Sequence, residues 1–135
     1  MAIIVGFTRA SEGRAALDRA VQEARLRDAE LVVVHSLKGG ERDELETVLA
    51  YREEFAALET DLSERGVRFR LIEYARGNSP AEDLVAAAAE HDGELIVIGY
   101  RRRSPVGKLV LGSNAQDVLM HAECPVLAVR SSDED

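Results

Sequence analysis

The sequence predicts an α/β fold in which helices cover both faces of a five-stranded parallel sheet, giving three layers. Two observations lead to this prediction. Short apolar runs rich in β-branched residues alternate along the chain with segments of helical periodicity. Most of these runs show little polar alternation, which is typical of strands covered on both faces. Because parallel strands connect through right-handed crossovers, we expect a doubly wound sheet, flavodoxin-like or Rossmann-like, with strand order 3-2-1-4-5.

Four apolar runs predict buried strands, and one alternating run predicts a strand that is half exposed. The buried runs are Ile3–Phe7, Leu31–Leu37, Leu95–Gly99 and Pro125–Val129. In Val67–Tyr74, apolar residues alternate with arginines instead. Successive side chains of a strand point to opposite faces, so this run suits a strand at the edge of the sheet.

Helical periodicity fills the intervals between these runs. Apolar residues recur at helical spacing within residues 17–24, 45–62, 84–88 and 115–122. The stretch Ser79–Glu82 predicts a capping box with proline at the first helical position. Ser113–Gln116 predicts a second capping box. Gly66 is expected to end the second helix.

Composition and charge narrow the classes of protein to which the chain can belong. Its 135 residues fit one domain, 1–135, in which residues 131–135 form an acidic tail. The net charge of −8 and the 4% of aromatic residues argue against nucleic-acid binding. The single cysteine, Cys124, excludes an internal disulfide and suits a reducing compartment. No apolar run approaches the roughly 18 residues of a membrane span, and the start lacks a signal peptide, so we expect a cytoplasmic protein without membrane contact.

The sequence lacks the familiar motifs of catalysis and metal binding. It has no G-x-x-x-x-G-K-[ST] loop and no G-x-G-x-x-G after the first strand. His35, His91 and His121 lack the spacing of metal ligands, and we interpret His35 as a structural residue. Cys124 is interpreted as a buried thiol, although His121 lies three residues before it. We therefore assign no catalytic residue and no metal site.

The connection between the fourth strand and the last helix is the most unusual segment of the chain. It takes residues 100–112, whereas such connections usually take roughly two to six residues. Arg101–Arg103 and Lys108 place four positive charges there. Arginine forks pair with phosphate oxygens, and a glycine such as Gly99 allows close backbone approach. Since Gly112-Ser113 starts a helix, whose amides attract anions, the segment predicts a phosphate site.

Other interpretations of this segment stay open. Gly112-Ser113 also fits a helix cap that binds no ligand. The arginines also fit a solvated loop, or partners for the many acidic residues elsewhere in the chain. In a sheet of this order, ligands bind beyond the carboxyl ends of the first and fourth strands, where residues 8–11 and this segment are expected. Spacing alone does not decide between the interpretations.

Both ends of the chain, together with this segment, resemble the universal stress protein family. The stretch Ile3–Leu17 is similar to the family's first strand and helix. The end, from Gly112-Ser113 to Cys124–Arg130, resembles its last helix and strand. The resemblance covers nearly the whole chain. It implies the same α/β fold and a homodimer formed through the last strand, Val126–Arg130.

The nucleotide-binding branch of that family carries G-x2-G-x9-G-[ST] between the fourth strand and the last helix. Gly99 matches the first glycine and Gly112-Ser113 the last pair, while Arg102 stands in place of the second glycine. Family members usually carry Asp at the end of the first strand, where this chain has Thr8. In the family, the backbone at the position of Ser36 often contacts adenine.

The resemblance implies an adenine nucleotide as ligand, namely ATP, ADP or AMP, with or without Mg²⁺. The residues assigned to the site, from the resemblance and from the charge of the segment, are Thr8, Ser36, Gly99, Arg102, Arg103, Gly107, Gly112, Ser113 and Asn114. The expected function is a stress-response regulatory module in which nucleotide binding changes a partner surface. A family branch without the motif leaves an alternative, a dimeric interaction protein that binds no nucleotide. An enzyme is disfavoured because residues 8–11 contain no adenylating or pyrophosphatase loop, although slow ATP hydrolysis is left open.

Overall fold

A computed structural model of the protein describes residues 1–8, 11–37, 45–75, 77–100 and 111–131. Strands and helices alternate throughout these ranges. The elements are β1 Ala2–Gly6, α1 Ser11–Arg27, β2 Glu30–Ser36, α2 Leu45–Glu64, β3 Phe69–Tyr74, α3 Pro80–Glu90, β4 Gly93–Tyr100, α4 Ser113–His121 and β5 Val126–Arg130. Every strand pair is parallel, and the strand order is β3-β2-β1-β4-β5. The predicted α/β fold and strand order are confirmed.

The direction of winding reverses between β1 and β4. Ile4 of β1 pairs with Val32 of β2 on one side and with Ile96 of β4 on the other. Helices α1 and α2 cover one face of the sheet, whereas α3 and α4 cover the opposite face. The connections that leave β1 and β4 therefore diverge at the carboxyl edge. In doubly wound sheets this divergence opens a crevice.

The core has two halves, one on each face of the sheet. Ile3 and Val5 face α1 and α2, whereas Ile4 faces α3 and α4. All three side chains are 0% exposed. Because both faces of the central strands are buried, their sequences are apolar without alternation. Each such side chain stabilises the fold by roughly 1.5–3 kcal/mol relative to exposure. The prediction that Pro125–Val129 forms a buried strand is wrong, because β5 lies at an edge of the sheet and its residues are half-buried or exposed.

The strand β3 is half exposed at one edge of the sheet, as its alternating sequence predicts. Two arginines on the exposed side contact the region where β2 begins. Arg68 donates to the carbonyl oxygen of Asp28 at 2.8 Å, and Arg70 Nη2 lies 3.4 Å from Glu30 Oε2. These contacts are solvent-exposed ion pairs and hydrogen bonds, which contribute little to stability. The alternation of apolar residues with arginines therefore reflects the position of β3 at the edge of the sheet.

The ends of α2 and α3 follow the predicted signals. Ser79 Oγ accepts from the backbone N–H of Glu82 at 3.1 Å, and Glu82 Oε1 accepts from the backbone N–H of Ser79 at 2.7 Å. This reciprocal pair is the predicted capping box, with Pro80 as the first helical residue. Gly66 follows α2 with φ of 71°, a left-handed conformation that favours glycine.

The second predicted capping box, Ser113–Gln116, is wrong. The N-cap of α4 is Gly112, and it makes no side-chain cap hydrogen bond. The backbone N–H of Gln116 donates to the carbonyl oxygen of Gly112 at 3.0 Å. The side chain of Gln116 instead donates to the carbonyl oxygen of Leu111 at 2.9 Å. Since the helix begins one residue earlier than the pattern suggested, Ser113 lies inside the first turn and Gln116 caps the preceding chain.

Candidate functional site

A cavity of about 230 Å³ lies at the carboxyl edge of the sheet, between the ends of β1 and β4. This is the place where the winding reverses and where ligands bind in sheets of this kind. The ends of β1, β2 and β4 contribute to it, together with the N-terminal parts of α1, α3 and α4. Its volume is just below the roughly 300–1,000 Å³ of typical ligand pockets.

The cavity walls are mostly apolar. The main apolar wall residues are Val34, Leu84, Ile98 and Val118. The polar lining residues are Thr8, Glu12, Ser36 and Asn114. Within the described lining, Glu12 is the residue that carries a charge. An apolar pocket with a few polar groups is typical of small-molecule sites, in which the polar groups fix the orientation of the ligand.

Ser36 connects the cavity to a buried carboxyl group. Its hydroxyl is hydrogen-bonded to Asp83 Oδ2. Asp83 lies in the first turn of α3 and is 0% exposed. Its other oxygen, Oδ1, has no hydrogen-bond partner in the part of the chain that the structure describes.

Gly99 lies at the end of β4, directly against α1. A Cβ atom at this position would overlap the carbonyl oxygen of Glu12 and would stand 2.6 Å from its carbonyl carbon. A glycine is therefore needed here for the close packing of α1 on β4. The packing of α1 on β4 thus explains the glycine at this position, whereas sequence analysis explained Gly99 by the close approach of a phosphate.

Thr8 and Gly13 form a second close contact beside the cavity. A Cβ atom on Gly13 would overlap Thr8 Oγ1 and would stand 3.0 Å from Thr8 Cβ. Gly13 therefore leaves room for the Thr8 side chain over the first turn of α1. Sequence analysis did not single out Gly13, because the spacing between these two residues does not reveal the contact.

Asn114 joins the starts of α3 and α4. Its Oδ1 lies 3.4 Å from the backbone N–H of Ala81, in hydrogen-bonding geometry. Gly112, one residue before α4, is exposed, and a Cβ atom there would meet none of the described residues within 4 Å. Ser113 and Asn114 in the first turn of α4 are exposed as well.

The structure brings four of the assigned residues together around the cavity, namely Thr8, Ser36, Gly99 and Asn114. Gly112 and Ser113 lie at the start of α4 and are not among the described lining residues. Arg102, Arg103 and Gly107 lie outside the described residues.

Glu12 and Asp83 were missed by sequence analysis. The available signal for Asp83 was its helical position, because it precedes the buried Ala87 by four residues and thus shares its face. Glu12 had a weaker signal, its place in the first turn of the helix after the first strand.

Sequence analysis considered three further residues as metal ligands or as a nucleophile, namely His35, Cys124 and His121. His35 is buried, and its ring centroid is 4.3 Å from that of Tyr51. Cys124 is half-buried rather than buried as predicted. Its partial burial raises the pKa of the thiol, which disfavours the thiolate and thus nucleophilic chemistry. His121 Nδ1 lies 3.0 Å from the carbonyl oxygen of Asp117 in its own helix.

Within the described ranges, no group of three or more His, Cys, Asp or Glu side chains is placed to hold a metal ion. Among the helices described, none has both the length and the apolar character that crossing a bilayer requires.

Comparison with known proteins points to one family. The model of the universal stress protein family matches residues 1–130. A universal stress protein of Mycolicibacterium smegmatis is 39% identical over 128 residues, which cover 95% of this chain and 96% of the relative. The sequence similarity therefore extends over both chains almost completely.

Solved structures show the same fold. The universal stress protein from Archaeoglobus fulgidus has a TM-score of 0.82 and 37% identity, covering 96% of this chain and 98% of that chain. Another structure, of the universal stress protein from Archaeoglobus fulgidus in complex with dAMP, has a TM-score of 0.77 and 32% identity, covering 96% and 97%. These neighbours support the Rossmann-like architecture described above.

Proposed function

The chain belongs to the universal stress protein family, and from this premise we propose that it binds an adenine nucleotide in the cavity between β1 and β4. The observation that carries the proposal is the apolar cavity at the point where the winding reverses, with Thr8, Ser36 and Asn114 in its lining. The complex of a 32% identical structure with dAMP supports the choice of ligand.

The cavity suits a nucleotide that lies across the carboxyl edge of the sheet. Ser36 ends β2 and Gly99 is near the end of β4, with β1 between them. Neighbouring strands are roughly 4.8 Å apart, so β2 and β4 are about 10 Å apart. A nucleotide spans such a separation from base to phosphate. We place the base near Ser36, between Val34 and Leu84.

The phosphates then extend toward the start of α4. Free amides at a helix N-terminus bind anions, and Gly112 and Ser113 at the start of α4 are exposed. Arg102, Arg103 and Gly107 are proposed as further phosphate ligands on the basis of sequence. Thr8 offers a hydroxyl group to the ribose.

We propose a regulatory role rather than catalysis. A ligand in this cavity would contact α1, β2, α3 and α4 together, so its binding is expected to change how these elements present a surface to partners. The single cysteine supports action in the cytoplasm.

The homodimer is proposed through β5, Val126–Arg130, at the sheet edge opposite β3. Ile96 donates to the carbonyl oxygen of Pro125 at 3.0 Å, and Ser131 donates to that of Tyr100 at 2.8 Å. Hydrogen bonding alternates along a strand, so the odd-numbered residues of β5 bond to β4. Ala128 therefore directs its backbone N–H away from β4, where a second copy of the chain can pair.

Isothermal titration with Mg-ATP and with AMP tests nucleotide binding. We expect a Kd tighter than about 1 mM, and the absence of heat at millimolar nucleotide would contradict the proposal. Ala115→Phe is expected to fill the cavity and abolish binding, because Ala115 lines it. Met120→Phe is the matched control, since this residue of the same helix is 79% exposed.

A second candidate function is a dimeric interaction protein that binds no nucleotide. The presence of Arg102 and Thr8, where the nucleotide-binding branch has Gly and Asp, favours it. Titration of an Arg102→Gly variant distinguishes the two functions. ATP binding that appears only in this variant would favour the interaction protein.

A further inference from the structure

Phe7 lies between the candidate nucleotide site and helix α2. It follows β1 and lines the cavity between β1 and β4. It also lines a second cavity of about 370 Å³, the interhelical cleft, whose walls are residues of α1 and α2. None of the described residues that line the cavity between β1 and β4 belongs to α2. Phe7 is therefore a side chain through which a ligand in that cavity can influence a helix outside the described lining.

Four aromatic rings connect Phe7 to α2. The Phe7 ring is edge-on to the rings of Phe55 and Tyr51 in α2, with centroids 5.1 and 6.2 Å away. His35 of β2 completes this aromatic cluster, with its centroid 5.4 Å from that of Phe7 and 4.3 Å from that of Tyr51. Rings at such separations and angles attract each other beyond the effect of burying their surface. The aromatic cluster thus links the end of β1 to α2.

The two halves of α2 are attached to the molecule differently. In the second half, Leu58 and Leu62 are buried in the core, and Arg65, just past the helix, forms an ion pair with α1 at 3.1 Å. In the first half, Tyr51 and Phe55 are only half-buried. The interhelical cleft separates α2 from α1 between residues 54 and 61. The first half of α2 is therefore docked by half-buried rings, whereas its second half is anchored in the core.

We infer that a nucleotide in the cavity between β1 and β4 strengthens the docking of α2 through Phe7, so that the surface of α2 responds to the ligand. This inference rests on the proposed function. A ligand shifts a conformational equilibrium only if its affinity differs between the two states. With α2 docked, Tyr51 and Phe55 hold the Phe7 ring in one position beside the ligand. With α2 undocked, the ring loses these contacts, and the ligand must order it at a cost in entropy.

The coupling is reciprocal, so it can be measured from the side of α2. If nucleotide strengthens the docking of α2, a change that weakens the docking must weaken nucleotide binding. Tyr51 provides this test, because it belongs to α2 and is not among the described residues that line the cavity between β1 and β4. A loss of nucleotide affinity on removal of the Tyr51 ring would therefore come from coupling rather than from a lost contact with the ligand.

Isothermal titration of AMP into variants at position 51 measures the coupling. Tyr51→Leu removes the ring and should raise the Kd for AMP by about fivefold. Tyr51→Phe keeps the ring and removes the hydroxyl group alone, so it should bind AMP like the wild-type protein. Arg52→Gln is the control in the same helix, because Arg52 is exposed. Thermal unfolding identifies the variants that are folded at the temperature of the titration.

Hydrogen exchange of the wild-type protein gives a second test that needs no variant. Saturating AMP should slow the exchange of amides in residues 51–57 by about fivefold, as expected for the same coupling. Residues 22–27 provide the internal control, because this end of α1 lies at the opposite edge of the sheet from the cavity. Their exchange should be unchanged at the same labelling times. A ligand that stabilised the whole fold alone would slow both segments alike.

The outcomes separate this inference from the proposed function. AMP binding with unchanged exchange in residues 51–57 would overturn the inference and leave nucleotide binding intact. A folded Tyr51→Leu variant that binds AMP as tightly as the wild-type protein would also overturn it. An equal loss of affinity in Tyr51→Phe would reject the role of the rings, since the hydroxyl group would then carry the effect. Absence of AMP binding at millimolar concentration would reject the proposed function and the inference together.

Discussion

Gly99 of β4 packs against the main chain of Glu12 in the first turn of α1, with no space for a side chain between them. The contact joins the strand and the helix that border the cavity on opposite sides of the winding reversal. One glycine thus determines how closely α1 approaches the sheet, and with it the shape of the candidate site.

A Gly99→Ala substitution is expected to lower the free energy of unfolding by about 1–3 kcal/mol, because the added methyl group displaces the start of α1. Urea unfolding measures this change. Gly6→Ala is the control, since its Cβ would stand 3.6 Å from Leu84 Cδ2, an ordinary van der Waals distance. Equal stability of the two variants would show that the contact with Glu12 relaxes without cost.

Most of the fold could be predicted from the sequence because its signals are local. The apolar runs of the central strands reflect burial on both faces, and the capping box at Ser79 forms between neighbours in the chain. The start of α4 could not be predicted as well. Ser113 satisfies the same pattern as Ser79, but the N-cap of the helix is Gly112, which has no side chain to make a capping hydrogen bond.

The candidate site was predictable where topology alone places residues. The ends of β1, β2 and β4 meet at one edge, which brings Thr8, Ser36 and Gly99 to the cavity. The contact of Ser36 with Asp83 joins residues 47 positions apart. Its detection requires the packing angle of α3 on the sheet, which no local pattern encodes.

A Thr8→Asp substitution is expected to tighten adenine-nucleotide binding by about tenfold, since a charged acceptor makes a stronger hydrogen bond than a hydroxyl group. Gly13 has no side chain to collide with the side chain at position 8. Isothermal titration with ATP measures the change. Thr8→Val, which keeps the shape and removes the hydroxyl, should bind more weakly than the wild-type protein. If Asp at position 8 fails to improve affinity, Thr8 does not face the nucleoside.

The stability of the protein is expected to fall in acid partly through Glu23. Hydrogen bonds from Arg27 and Arg19 hold the pKa of Glu23 below its ordinary value of 4.5. A carboxyl whose pKa is lowered by folding stabilises the folded state above its unfolded pKa, and this contribution is lost as pH falls through the folded pKa.

The Glu23→Gln variant tests this contribution. It should be less stable than the wild-type protein at pH 7, and the difference should shrink below about pH 4. Thermal unfolding at several pH values measures it, with the exposed Glu59→Gln as control. A difference that is the same at pH 7 and pH 3 would exclude the ionic origin.

An Ala128→Pro substitution is expected to convert a dimer into a monomer, because it removes a backbone donor from the outer edge of β5 while leaving the bonds to β4 in place. Light scattering gives the mass. Leu127→Pro is the comparison variant, and it should destabilise the fold itself, since residue 127 bonds to β4. An Ala128→Pro protein that remains dimeric would place the interface elsewhere.

The most direct test of nucleotide binding is a crystal structure of the protein grown with saturating ATP. Our account predicts the adenine ring near Ser36, between Val34 and Leu84, with the phosphates directed to the start of α4. A cavity closed by the protein's own side chains, or ATP bound only at another surface, would contradict it.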